Sequence, residues 1–126
     1  DAILPKAKEI AENQGYKGVR WPKMVGPKGI DTPSKVAPLL IWQQPHPIIY
    51  AELCYQNQPT KDTLERYKEL VFETAEFMVS FAHYDQEQDR YVLGAPLIPA
   101  QENHRPMDTL NPTYELEYWD HALRIA

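Results

Sequence analysis

The chain has 126 residues, enough for one domain with a buried core, and its 43% hydrophobic and 25% charged residues are ordinary for a globular protein. A formal net charge of −5 and a pI near 5.3 give no electrostatic reason to expect nucleic acid or an anionic membrane surface as a partner. No apolar run is long enough to cross a membrane, no signal-peptide pattern is present, and a lone cysteine, Cys54, excludes an internal disulfide framework while leaving the compartment open.

His46, His83, His104 and His121 lie far apart, without CxxC or HExxH spacing, so neither a metal nor another cofactor is expected. The chain opens on Asp1 rather than Met, which suggests a segment processed or cut from something longer. The twelve prolines cluster outside the periodic stretches. Eight Tyr and three Trp outnumber three Phe. Such rings combine a flat apolar face with a polar handle, a chemistry that suits sugars as well as core boundaries.

Residues 2–14 read as a helix, with Ile3, Ala7, Ile10, Ala11 and Gln14 at helical spacing, Pro5 in the first turn and Gly15 as the stop. Residues 16–37 lose the period. Glycines and prolines break them into turns and short extended pieces, Pro27-Lys28-Gly29 being a turn tip. This loop brings Arg20 next to Trp21, which is either a sugar platform or a buried anchor.

Residues 38–57 begin apolar and pass through Trp42-Gln43-Gln44-Pro45-His46-Pro47. They then become helical near Pro45, where both prolines still fit the first turn. The polar Trp-Gln-Gln-Pro-His stretch therefore sits at a helix mouth, whose free N–H groups could face a ligand. Residues 62–85 carry two adjacent apolar stripes and predict a long helix, started by Asp62 with Glu65 and buried at Val71, Phe77, Met78 and Phe81. Glu73 and Glu76 belong at the margin of that face. Residues 90–93 read as a short strand. Asn111 caps a last helix with Pro112 at its first position. The result is a mainly all-α chain of about four helices with two long loops and short β pieces, in one domain over residues 1–126.

The rest of the chain is organised around the stretch 93–111, between the strand and the last helix. Pro96, Pro99 and Pro106 exclude a regular helix or central strand, while Leu97 and Ile98 argue against disorder. A long loop inside a compact domain is usually functional. At its centre stand Gln101, Glu102, Asn103 and His104, four consecutive groups able to hydrogen-bond or exchange protons.

Read together, these segments resemble the six-hairpin α/α-barrel glycosidases. They are most similar to the family of maltose and kojibiose phosphorylases, trehalose-type hydrolases and glucosylgalactosyl-hydroxylysine glucosidases. Gly15-Tyr16-Lys17-Gly18-Val19-Arg20-Trp21-Pro22 is similar to the family's Gly-Tyr-x-Gly-Ala and aromatic-Pro segment. Pro45-His46-Pro47-Ile48-Ile49-Tyr50-Ala51-Glu52 is similar to its His-x-x-x-x-Ile-Ala-Tyr-Ala helix. Pro99-Ala100-Gln101-Glu102-Asn103-His104 stands where the family has Gly-Pro-Asp-Glu-Tyr-His, and Leu110-Asn111-Pro112-Thr113-Tyr114-Glu115 where it has Asp-Asn-Asn-x-Tyr-Thr-Asn. Pro99, Gln101 and Asn103 depart from the family residues.

The resemblance implies about two of six hairpins of an α/α toroid, completed by the rest of a parent barrel, and a carbohydrate substrate. It implies Glu102 as the catalytic acid of an inverting reaction on an α-glucosidic or related bond, its carboxyl kept protonated by an apolar loop. Trp21 and Trp42 become candidates for stacking on a sugar ring. Arg20, Gln43, Gln44, His46, Asn103 and His104 become candidates for hydroxyl contacts. Phosphorolysis, a carbohydrate-binding segment without catalysis, and a helical interaction module are the alternatives.

Overall fold

The computed structural model describes residues 2–30 and 32–126. Helix α1 spans Leu4–Asn13 and buries Ala7 and Ala11, one turn apart on a single face. Gly15, at φ 81°, reverses the chain so that the Tyr16 N–H reaches back to the Ala11 carbonyl at 2.9 Å. The extended segment that follows bonds to two helices through its backbone. The Arg20 N–H donates to the Ala7 carbonyl at 3.0 Å and the Val19 N–H to the Glu73 carbonyl at 3.1 Å. Short 3-10 turns follow at Pro27–Gly29, the expected turn tip, and at Ala37–Leu39.

Helix α2 spans His46–Asn57 with Pro45 at its N-cap and Pro47 inside the first turn. Helix α3 spans Lys61–Phe81, and its N-cap is Thr60, not Asp62: the Thr60 hydroxyl accepts the Thr63 N–H at 3.2 Å. The long helix also ends four residues earlier than its periodicity predicts. Residues His83–Asp85 form β1, antiparallel to β2 at Arg90–Val92, in the register His83–Val92, Tyr84–Tyr91 and Asp85–Arg90. Local turn chemistry accounts for the difference. The Asp85 carboxylate accepts the N–H groups of Glu87 and Gln88, and Asp89 takes a left-handed φ of 49°, closing a hairpin that competes with further helix.

Helix α4 spans Thr113–Ile125 with Pro112 at its N-cap. Asn111 does not cap it. Its side-chain oxygen accepts the Leu93 N–H, and its own N–H donates to the Leu93 carbonyl, both at 2.8 Å. This two-bond clasp closes the long loop on itself, the two ends meeting across 18 residues.

The core collects Phe77, Met78 and Phe81 from α3, Ile48 from α2, Trp119 and Ala122 from α4, Ala11 from α1, and Ile41, Leu93 and Leu97 from the loops. Val71 is only partly buried. The rings of Phe77, Phe81 and Trp119 meet edge-to-face or tilted at 5.6–6.4 Å, and the Trp119 indole donates to the Ile41 carbonyl at 3.1 Å. Glu73 is half-buried beside Lys8, and Glu76 is exposed. The fold is mainly α, with four helices and one two-stranded hairpin among the described residues. Large apolar side chains remain exposed on three helices, among them Phe72, Val79, Leu53 and Leu123.

Candidate functional site

The loop from Leu93 to Asn111 is fixed along its length as well as at its ends. Ile98 pairs with Leu40 in a parallel bridge, its N–H donating to the Leu39 carbonyl at 2.9 Å. The Leu97 N–H donates to the Pro106 carbonyl across the loop at 3.2 Å. Glu115, on the first turn of α4, accepts the Ala100 N–H at 2.6 Å. The turn that follows returns the Glu102 N–H to the Pro99 carbonyl at 2.8 Å and leaves Glu102 at φ 57°. So the sequence anchors an otherwise irregular segment by its apolar Leu97 and Ile98 and presents Glu102 at its tip.

The apolar surroundings expected for Glu102 are not there. Its carboxylate is exposed and forms an ion pair with Lys23, carried in from 79 residues away. Asn103 and His104 are exposed as well, and the His104 Nδ1 pairs with the Asn103 side-chain oxygen.

Four of the expected sugar contacts turn inward. Arg20 is buried, donating to the side-chain oxygen of Gln14 at 2.6 Å and to the Pro38 carbonyl, with the rings of Tyr16, Phe77 and Phe81 around its guanidinium. Burial lowers its pKa, with the neighbouring Tyr16 acting the other way. The Trp21 indole donates to the Thr74 hydroxyl at 2.9 Å inside the protein. Gln44, wholly buried, accepts the Trp21 N–H and donates to the Trp21 carbonyl, both at 2.8 Å. Gln43 donates to the same carbonyl at 3.1 Å. These side chains tie the first loop to the mouth of α2, because a buried backbone with no strand partner must find its hydrogen bonds elsewhere. The hydrogen-bonding groups they use here are engaged with the protein itself.

Trp42 and His46 are half-buried and remain near the surface. The His46 ring packs edge-on against Trp42 at 5.3 Å, and its Nδ1 is 2.7 Å from the Tyr118 hydroxyl. Desolvation lowers the His46 pKa and raises that of Tyr118, the latter helped by nearby Tyr114 and Tyr50. Both shifts favour a neutral pair in which the Tyr118 hydroxyl donates to an unprotonated Nδ1.

These groups extend into a row of rings. Tyr114 lies 5.9 Å from Tyr118, Tyr118 is 5.5 Å from His46, and His46 is 5.8 Å from Tyr50. Tyr114 also lines an open groove of about 420 Å³ with Gln101, His104, Thr109, Asn111 and Glu115. The row and the groove share that tyrosine, so one surface runs from the loop carrying Glu102 across α4 to the mouth of α2. It offers amides, imidazoles and phenols beside flat rings, a set suited to a polyhydroxylated ligand, while Glu102 stands on the same loop as Gln101 and His104 but does not itself line the groove. Among the described residues no group of three or more His, Cys, Asp or Glu could hold a metal ion. A groove of about 450 Å³ beside Met78, Val79, Leu116, Trp119 and Leu123 is mostly apolar, with Asp120 and the Tyr91 phenol as its polar groups.

Tyr50, Tyr114, Tyr118, Lys23 and Glu115 were not among the residues singled out from sequence. The signal was present in spacing: His46 with Tyr50, and Tyr114 with Tyr118, stand four apart, on one helix face each. In sequence, Tyr114 and Tyr118 read as part of a wide apolar face on the last helix. No protein-family model matches the chain, and no curated protein matches it.

Proposed function

We propose that this chain is a glycoside-cleaving segment of an α/α six-hairpin barrel, inverting an α-glucosidic or related bond, with Glu102 as general acid. The observation that carries the reading is the pairing of a clasped, carboxyl-bearing loop with a groove and a row of half-buried to exposed rings. Trp42, His46, Tyr114 and Tyr118 would flank the sugar, and Asn103 and His104 would bond its hydroxyls.

In the reaction, Glu102 gives its proton to the glycosidic oxygen as the bond to the anomeric carbon breaks. Water attacks that carbon from the opposite face and loses a proton to a second carboxylate, about 6.5–9.5 Å from the first in inverting enzymes. In a phosphorolytic variant, phosphate takes the place of the water. The second carboxylate would come from another part of the barrel, whose helices would also cover Phe72, Val79 and Leu123. Arriving substrate must open the Lys23–Glu102 pair before a proton can be transferred.

That same ion pair favours a second reading, in which the surface binds carbohydrate without cleaving it and Glu102 is only an acceptor. The variant Glu102→Gln in the full-length protein separates the two. Gln keeps the shape and can still hydrogen-bond, but it cannot deliver a proton. Turnover of a natural disaccharide should fall by about 10²–10⁴-fold, the usual contribution of a positioned acid. A glucoside with a dinitrophenyl leaving group needs less protonation and should be hit far less. Equal loss on both substrates, or no loss on either, removes Glu102 from the acid's role.

A further inference from the structure

We propose that Glu115 is a positioning residue for Glu102, holding the turn that presents the acid; the inference rests on the reading of Glu102 just given. Glu115 is wholly buried, and a buried carboxylate needs compensation. Part of it comes from its place as the third residue of α4, where helix N–H groups and the helix dipole favour negative charge. In a capping box that position would bond the N-cap N–H, but here the N-cap is Pro112, which has none. The carboxylate reaches across the loop instead, and its Oε1 accepts the Ala100 N–H at 2.6 Å.

Ala100 stands between Pro99, which accepts the Glu102 N–H, and Glu102 itself, held at φ 57°. One bond from the helix therefore fixes the turn in which the acid takes a left-handed backbone. The other carboxylate oxygen, Oε2, is buried with no protein partner. A side chain chosen only to fill volume would be apolar, since burying half-bonded charge opposes folding. What an apolar residue could not do is hold the Ala100 N–H, and with it the position of Glu102.

The test compares Glu115→Ala, Glu115→Gln and Glu102→Gln in the full-length protein, on the disaccharide and on the dinitrophenyl glucoside. Glu115→Ala should lose about 10²-fold on the disaccharide, the scale of a roughly 1 Å misplacement of a reacting group. It should stay within a few-fold of the parent on the activated substrate. Glu115→Gln keeps an oxygen for the Ala100 N–H and should restore most of the disaccharide activity. Should the alanine variant fail to fold, Glu115→Asp, which keeps the charge but shortens the reach, is read in the same way. A uniform loss on both substrates, or no loss, while Glu102→Gln remains selective, overturns the positioning role alone. Absence of selectivity in Glu102→Gln itself overturns the acid assignment and this inference with it, so the two failures are told apart.

Discussion

The indole N–H of Trp21 donates to the Thr74 hydroxyl at 2.9 Å, joining the first long loop to the middle of α3 across 53 residues. Thr74 in turn donates to the Leu70 carbonyl at 2.6 Å, one turn back on its own helix. The hydroxyl thus serves as acceptor and donor at once, in a place wholly closed to solvent.

Replacing Thr74 by Val keeps the side-chain shape and removes the acceptor, leaving the Trp21 indole N–H buried without a partner. Such a group costs about 1–3 kcal/mol. Chemical denaturation should show Thr74→Val less stable by that amount. An unchanged midpoint would mean that Trp21 finds water, and that this loop is looser than the hydrogen bonds imply.

A second prediction compares two glycines with similar backbones and different surroundings. Gly15 and Gly18 lie at φ 81° and 65°, in the left-handed region. A Cβ on Gly15 meets nothing within 4 Å, whereas one on Gly18 falls 2.6 Å from the Phe77 nitrogen and closer still to the Glu73 carbonyl. Gly15→Ala should therefore cost only the conformational preference, about 1–2 kcal/mol. Gly18→Ala should cost clearly more, because a helical backbone cannot yield to the new methyl. Equal melting temperatures for the two variants would show that the segment carrying Val19 does not dock on α3.

What could be read from the sequence divides along physical lines. Helices α1 to α4 are legible because their apolar residues recur at helical spacing, and Ala7, Ala11, Phe77, Met78 and Phe81 are buried as that spacing requires. Their ends were less so. Thr60 took the cap expected of Asp62, and Asp85 turned residues 83–85 into a hairpin strand, each through a local hydrogen bond that periodicity does not register. Asn111 was read as a cap from its place before Pro112, yet its side chain closes the loop onto Leu93. That partner is 18 residues away, and nothing local announces it.

The site divides similarly. The loop around Glu102 was visible from its prolines and its polar centre. Arg20, Gln43 and Gln44 point toward a ligand in sequence through the resemblance and through their place beside Trp21 and Trp42. Here all three satisfy buried backbone, and Arg20 also sits over aromatic rings, which only the tertiary arrangement reveals. Glu115 is the converse case, a charged residue one would place in water and find wholly buried.

The last prediction concerns pH. Burial lowers the His46 pKa below the usual imidazole value of about 6.5, so the folded protein binds its proton less readily than the unfolded chain. Where the unfolded state binds more protons, stability rises with pH. The contribution of His46 is therefore fully present above about pH 6.5 and is lost as pH falls toward its lowered folded value. The groups facing it agree in direction: Tyr118, Tyr50 and Trp42 supply rings and a hydroxyl donor, and none supplies a carboxylate that would welcome an imidazolium. Melting temperatures of the parent and His46→Gln should run parallel above pH 7 and converge as the buffer is taken toward pH 5. Gln can still accept the Tyr118 hydroxyl but does not titrate, so it isolates the proton from the hydrogen bond. If the two curves stay parallel down to pH 5, the imidazole is solvated in the folded protein. The row of rings from Tyr114 to Trp42 would then be open at His46.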